Sequence, residues 1–173
     1  MTSSLRRFAH SLILCAACSA LVPSAAFGQS LKEQLTGTWL LVATTRIVAG
    51  VEEPGMFGRD AIGQFMFAPD GHMCFNAMRS TRLKFASNDF QAGAPEEKTA
   101  AYDSYIGYCG RYEVNEQERS IVLHLALSTY PNWTGTSQKR FAEVIGNRLR
   151  ISTPPIRSGG KEIVNAILWE RPQ

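Results

Sequence analysis

The second half of the chain places short strand-like segments between short turns, and this pattern most restricts the possible fold. Five segments rich in apolar, β-branched and aromatic residues follow one another: YCGRYEVN, SIVLHLALST, SQKRFAEVIG, RLRISTPP and KEIVNAILWER. The segments are joined by EQER, YPNWTG, GN and PIRSGG, and all of these except the polar EQER contain Pro, Gly or Asn, which are typical of turns. Strands at this spacing predict an antiparallel meander that closes into a barrel.

The first half of the chain continues the pattern. The segment TWLLVATTRIV, which begins at Thr38, is rich in β-branched and aromatic residues. In QFMFAPDGHMCF, two apolar runs flank Asp70-Gly71, and this pair is a strong hairpin signal because glycine tolerates the positive φ of a tight turn. The two halves together predict a mainly β chain of about eight strands.

Two helical segments are predicted beside the strands. SLKEQLTGTW contains a short N-terminal helical turn, with Leu31 and Leu35 four residues apart and Gly37 ending it. PEEKTAAYDSYIG predicts one short helix at about 96–106, because acidic residues favour its first turn and Gly107 ends it. The predicted fold is an antiparallel, up-and-down, eight-stranded barrel with these two helical additions.

The N-terminus has the layout of a secretory signal peptide. Two arginines precede an apolar run at 11–22, and small residues follow it. We expect 1–28 to be the signal peptide and 29–173 the barrel domain, with cleavage after Ala26 or lipid attachment at Cys18 as alternatives. The apolar run is shorter than the roughly 20 residues of a membrane-spanning helix, so we expect a secreted or periplasmic protein without a membrane span.

The predicted mature chain has a nearly balanced charge. Segment 1–28 carries two of the 18 basic residues and none of the 15 acidic ones, which leaves a net charge of +1. The remaining 145 residues correspond to one domain with a single core. No basic run with interleaved aromatic residues is present, so nucleic acid is not expected as a partner. We expect the protein to be a monomer or a weak homodimer.

Two cysteines, Cys74 and Cys109, remain after the signal peptide. In an oxidising compartment an even pair is a disulfide candidate, and two buried free thiols are the alternative. Neither interpretation makes these cysteines catalytic.

Motifs for metal, cofactor or nucleophilic chemistry are missing from the sequence after residue 28. Its histidines are His72 and His124, and no H-x-x-x-H, C-x-x-C or G-x-S-x-G spacing occurs. We therefore expect neither a metal nor a cofactor.

Five blocks of sequence follow one another in a distinctive order. They are LTGTWLLV, GQFMFAPDGHM, YDSYIGYCGRYEV, HLALSTYPNWTGTSQKR and the closing LRISTPP with LWER. In this order they resemble the bacterial and fungal lipocalin-like domain proteins over nearly all of the mature chain. The resemblance implies a calycin-type barrel with a central cavity and with Trp39 packed across the closed end. It does not imply a single activity, because a fold does not determine a function.

The predicted hairpin around Trp133 carries the candidate site. Alternation along SIVLHLALS places small and polar residues on one face and isoleucine and leucines on the other. A turn centred on Trp133 would set residue 126 opposite 140, and would collect on one surface His124, Ser128, Gln138 and Arg140. A one-residue change of register would exchange the partners on the second strand for Ser137, Lys139 and Phe141.

The face that points into the barrel decides the function. If the polar face points inward, the barrel has room for one small ligand, Arg140 can hold an anionic oxygen, and His124 can move a proton near neutral pH. Tyr105, Tyr108 and Tyr112 would add phenolic donors near the helix expected at the barrel mouth. In the alternative, the leucines fill a closed core and His124 lies outside.

Three hypotheses follow. The first is an exported protein that binds a small, mainly apolar or amphipathic molecule with a polar or acidic group. The second is a cofactor-independent isomerase, cyclase or lyase, with His124 as general acid/base and Arg140 stabilising an oxyanion. The third is a structural or interaction protein with a closed barrel. A cavity behind His124 and Arg140 would separate the first two from the third.

Overall fold

Ten strands dominate the computed structural model, which describes residues 28–173. The helices are α1 (Leu31–Leu35), α2 (Pro95–Asp103) and a 3-10 helix (Pro131–Trp133). The strands are β1 (Gly37–Val48), β2 (Val51–Pro54), β3 (Ile62–Phe67), β4 (His72–Met78), β5 (Tyr105–Asn115), β6 (Ser120–Ser128), β7 (Ser137–Ile145), β8 (Arg148–Ser152), β9 (Ile156–Ser158) and β10 (Lys161–Glu170). Except for Gly28, the predicted signal peptide lies outside the described residues.

Eight of these strands form a closed antiparallel barrel. They pair in the order β1, β3, β4, β5, β6, β7, β8 and β10, and a further pairing of β1 with β10 closes the barrel. The first part of β1 also pairs with β3, so β1 bridges the two ends of the sheet. The short strands β2 and β9 extend it beside the end of β1 and the start of β10. The predicted up-and-down, eight-stranded barrel is confirmed.

The predicted Asp70-Gly71 hairpin joins β3 to β4. Gly71 has a φ of 89°, and its N–H donates to the Ala68 carbonyl at 3.1 Å. The Asp70 carboxylate accepts a hydrogen bond from the His72 backbone N–H at 3.0 Å. A residue with a side chain would be strained at Gly71, which explains why the turn carries glycine there.

Helix α2 ends earlier than predicted. It stops at Asp103, and the residues Tyr105 and Ile106 instead begin β5, where they pair with Met78 and Ala77. Strand pairing with β4 therefore overrides the local helical pattern. Within residues 28–173, no helix has the length and apolar composition needed to cross a membrane.

Helix α1 closes one end of the barrel. Leu31 and Leu35 are buried, and they belong to the main hydrophobic core. The Glu116 carboxylate, from the β5–β6 turn, accepts hydrogen bonds from the backbone N–H groups of Leu31 and Lys32 at 2.7 and 3.2 Å. A carboxylate at a helix N-terminus satisfies donors that have no partner inside the helix, so this contact fixes α1 on the barrel.

Trp39 lies beneath α1 and is fully buried. Its indole N–H donates to the Leu35 carbonyl at 2.7 Å. The Arg171 guanidinium stacks 4.3 Å from the indole ring and donates to the carbonyls of Thr36 and Gln34. These contacts join the two ends of the described domain at its closed end.

The leucine-rich face of β6 points into the barrel. Ile121, Leu123 and Leu125 are 0%, 0% and 2% exposed, whereas His124 lies between them on the outer face. Burying each large apolar side chain stabilises the fold by about 1.5 to 3 kcal/mol, so this orientation wins over one that buries histidine and serine.

A disulfide joins β4 to β5. Cys74 and Cys109 are directly opposite each other, with their Cα atoms 4.1 Å apart, and their sulfurs are bonded. Their neighbours Met73 and Phe75 are buried in the core, so alternation places the cystine on the outer face. The disulfide alternative of the sequence analysis is confirmed.

Candidate functional site

A cavity of about 490 Å³ lies inside the barrel, toward the end away from α1. Its wall includes Thr44 and Thr45 in the second half of β1, Met56 and Phe57 in the β2–β3 loop, and Trp133 in the 3-10 helix. The buried apolar side chains of β6 are not part of this wall. One end of the barrel is therefore filled, and the other is hollow.

The floor of the cavity is aromatic. Phe75 stacks on Tyr108 with ring centroids 4.6 Å apart, and Trp169 packs edge-on against Phe75 at 5.6 Å. Trp133 packs edge-on against Tyr108 at 6.0 Å. Because each ring is held by another, this surface is suited to a flat apolar or aromatic molecule.

Arg140, on β7, brings a positive charge to the cavity wall. Its guanidinium donates to the Lys139 carbonyl at 2.8 Å and to the side-chain oxygen of Gln138. No carboxylate among residues 28–173 lies within 4.0 Å of this guanidinium. Burial lowers the pKa of Arg140 from its ordinary value, although an arginine remains charged at neutral pH.

Tyr108 places a hydroxyl close enough to Arg140 to be affected by its charge. Burial raises the pKa of Tyr108 to about 12, and the positive charge of Arg140 acts in the opposite direction. The residue is only 7% exposed, and its hydroxyl makes no hydrogen bond with another described residue. At neutral pH this hydroxyl is protonated and available as a donor.

Several other polar groups of the wall are engaged within the fold. The Thr44 hydroxyl donates to the Met56 carbonyl at 2.9 Å, and the Thr153 hydroxyl accepts from the Asn165 backbone N–H at 3.0 Å. These bonds hold the β2–β3 loop and the end of β8 against the barrel. Arg140 and Tyr108 also line the wall, and they are donors that a molecule in the cavity can use.

The closed eight-stranded barrel, with one filled end, agrees with the protein family whose sequence model matches most of the chain. The sequence model of the lipocalin-like domain matches residues 36–172. The chain belongs to the lipocalin-like domain family.

The chain is also similar to a fungal carrier protein. The chain is similar to the 4'-hydroxy-3'-methoxypropiophenone carrier protein ppsC of Aspergillus oryzae, with 29% identity over 106 residues. The matched region spans 57% of this chain and 96% of that protein.

The hairpin of this lipocalin-like barrel does not bring together the four residues predicted to share a surface. Arg140 pairs with Ile121, and Gln138 pairs with Leu123, so both point inward with the buried face of β6. The cavity wall contains Gln138 and Arg140 but not the other two. The expected common surface is therefore wrong for His124 and Ser128.

The asymmetric turn between β6 and β7 explains the difference. Leu125 exchanges backbone hydrogen bonds with Thr136 and Gly135 at 2.9 and 2.7 Å, so the turn is not centred on Trp133. Beyond Leu125, Ser128 pairs with Tyr108 of β5 instead of continuing the hairpin with β7. Along the β6–β7 hairpin itself, Arg140 lies opposite Ile121 and not opposite residue 126, a difference of five residues, and an odd difference exchanges the two faces.

His124 lies on the outer face of the lipocalin-like barrel. Its Nδ1 is 2.8 Å from the Ser137 hydroxyl, and its Nε2 is 3.4 Å from the Glu113 carboxylate. Its side chain is 41% exposed. A general acid must reach the reacting atom, and from this outer position His124 does not reach the cavity, where the predicted proton transfer would take place.

The predicted tyrosines occupy three different environments. Tyr105 lies on the outer face, where its hydroxyl donates to the Asn76 side chain at 2.5 Å. Tyr112 is buried toward the closed end, and its hydroxyl donates to the Ala68 carbonyl at 3.0 Å. Only Tyr108 lines the cavity, and no residue of α2 does, so α2 does not form the expected cover.

Most cavity residues of the lipocalin-like barrel were not predicted as site residues. Phe65 lies on β3 and Phe75 on β4, two strands along which buried residues alternate with more exposed ones, and Trp169 lies near the end of β10. Their alternation in the sequence indicated burial. It did not distinguish the filled end of the barrel from the hollow end.

Proposed function

We propose that this chain is an exported lipocalin-like protein that binds a small, mainly apolar ligand in the barrel cavity. The ligand carries one polar or acidic group. The observation behind this proposal is the hollow end of the barrel, which has an aromatic floor and includes the donors Arg140 and Tyr108 in its wall. A volume of about 490 Å³ falls in the range of small-molecule sites, which is roughly 300 to 1,000 Å³.

The aromatic floor supports the apolar part of the ligand. Phe75, Tyr108 and Trp169 form connected ring contacts, so a flat molecule meets a surface that needs little reorganisation. Binding energy is then not lost in ordering the side chains.

The β7 side of the cavity supports the polar part of the ligand. Gln138 and Arg140 point inward from β7, and Tyr108 lines the same cavity from β5. In an otherwise apolar site, a few polar groups fix the orientation of the bound molecule. Ligand-binding roles for Gln138 and Arg140 therefore remain part of the proposal, whereas Tyr105, Tyr112, His124 and Ser128 are left out of it.

The similar fungal protein supports the choice of ligand class. Its name describes a carrier for a phenol that bears a methoxy group and a ketone. Such a molecule combines a flat ring with polar oxygens, which is the combination that the aromatic floor and Arg140 would accommodate.

Export is the second part of the proposal. The signal-peptide layout of 1–28 and the Cys74–Cys109 disulfide both suit an oxidising compartment. We expect the intact mass of the protein from a periplasmic or culture fraction to equal that of a chain whose first residue is Gln29. Gel filtration of that fraction should show a monomer or weak homodimer. Full-length protein retained in the cytoplasm would contradict export.

Tryptophan fluorescence provides the binding test. Trp133 and Trp169 line the cavity, so 4'-hydroxy-3'-methoxypropiophenone should quench the emission in a saturable manner. Ala166→Leu adds volume to the cavity wall and should weaken binding by at least about tenfold. The matched control is Ala126→Leu, since Ala126 is exposed at the β6 bulge.

The two variants separate cavity binding from surface adsorption. Equal affinity in the wild type, Ala166→Leu and Ala126→Leu would place the probe outside the barrel. Absence of saturable binding by this probe and by a panel of small aromatic molecules would refute the proposed function.

A further inference from the structure

The cavity wall has an uneven charge. Lys139 and Arg140 are its charged residues, and neither aspartate nor glutamate contributes to it. The Lys139 ammonium is already paired with the Glu118 carboxylate at 2.6 Å. Within the described part of the chain, Arg140 has no such carboxylate partner.

The existing contacts of Arg140 leave much of its donor capacity unused. Its two described hydrogen bonds go to neutral acceptors, the Lys139 carbonyl and the Gln138 amide oxygen. A guanidinium carries five N–H donors in a planar arrangement that suits two oxygens of an anion. Burying the positive charge of Arg140 is unfavourable unless a negative charge lies close to it. An anion bound beside the guanidinium would therefore be favoured over water.

Tyr108 adds a second donor to the same cavity wall. Its ring is held between Phe75 and Trp133, while its hydroxyl has no partner among residues 28–173. A protonated phenol donates a hydrogen bond to an anionic oxygen and offers no charge to a cation. The stacked rings around it would meanwhile contact the body of the ligand.

We propose that the cavity selects aromatic anions, with Arg140 and Tyr108 holding the negatively charged oxygen and the aromatic floor holding the ring. This inference rests on the proposed binding function and narrows its ligand class. Carboxylates and phenolates share the required chemistry. Neutral aromatic molecules bind more weakly, and aromatic cations are excluded by the charge of Arg140.

Three probes of similar shape test the selection. They are 2-naphthoate, the neutral methyl ketone 2-acetylnaphthalene, and the cation 2-naphthylmethylammonium, each titrated by calorimetry at neutral pH. A hydrogen bond to a charged group favours the anion over the ketone by about 10- to 100-fold. The cation should not bind measurably.

Variants assign the selection to its residues. Arg140→Met should bring the affinity ratio of anion to ketone close to one, and Arg140→Lys should retain part of it, because Lys keeps the charge but loses the planar fork. Tyr108→Phe keeps the ring and should lower the ratio by about 2- to 10-fold. Arg150→Met is the matched control, since Arg150 is an exposed arginine on β8, and its ratio should equal that of the wild type.

The outcomes separate this inference from the function on which it rests. If the ketone and the anion bind equally in the wild type, or if Arg140→Met keeps the preference for the anion, anion selection is refuted while binding in the cavity stands. If none of the probes binds to correctly folded wild-type protein, both the inference and the proposed function fail for this class of molecule. Thermal melting of each variant confirms that it is folded.

Discussion

Removal of the Cys74–Cys109 disulfide should lower the stability of the barrel substantially without changing its fold. The bond joins positions 35 residues apart, and in the chain-entropy model closing a loop of this length stabilises the folded state by roughly 4 kcal/mol. Both cysteines are only half-buried on the outer face, so replacing them with alanine removes little packing. For a domain of this size, the loss corresponds to a melting temperature lower by roughly 10 to 15 °C.

The assay is thermal unfolding followed by circular dichroism, with and without reductant. Wild-type protein should melt at a lower temperature after reduction, and its mass should rise by that of the two hydrogen atoms gained when the disulfide becomes two thiols. The double variant Cys74→Ala/Cys109→Ala should melt near the reduced wild type and should not respond to reductant. If oxidised and reduced wild-type proteins melt within about 2 °C of each other, the loop-closure reasoning is wrong for this barrel.

Three further predictions concern individual side chains. His124→Ala should leave ligand affinity unchanged in a fluorescence titration, because His124 lies outside the barrel; a loss of about tenfold would contradict that placement. Arg171→Met removes the contact with Trp39 and two hydrogen bonds, so urea unfolding should show a loss of about 2 to 3 kcal/mol, and an unchanged midpoint would count against the closed-end contacts. Burial raises the pKa of Tyr108 from 10.0 to about 12, so between these pH values Tyr108 loses its proton in the unfolded state before it does so in the folded state. The free energy of unfolding should therefore fall by roughly 2 to 3 kcal/mol as the pH rises over this range, and Tyr108→Phe should reduce this alkaline loss of stability.

The barrel was predictable because its signals are local. Asp70-Gly71 needs only the positive φ of one glycine to define a hairpin, and the alternation in SIVLHLALS marks a strand without reference to its partners. The end of α2 was less predictable. Tyr105 and Ile106 fit a helix by sequence, but pairing with β4 drew them into β5.

The candidate site was predictable only in part. Arg140 and Gln138 do line the cavity, although the register used to select them was wrong. His124 was selected because a histidine between small residues suggests a polar interior. The opposite face of the same strand carries Ile121, Leu123 and Leu125, and burial of those side chains determines the orientation.

The sequence by itself determined the class of fold, the order of the strands and the pair of cysteines available for a disulfide, since these depend on residue type and spacing along the chain. Tertiary structure decided which face of β6 points inward and which end of the barrel stays hollow. A strand offers two faces of alternating residues, and only the asymmetric turn at Leu125–Thr136 and closure of the sheet select between them. That selection places Arg140 with the aromatic floor and His124 in contact with solvent.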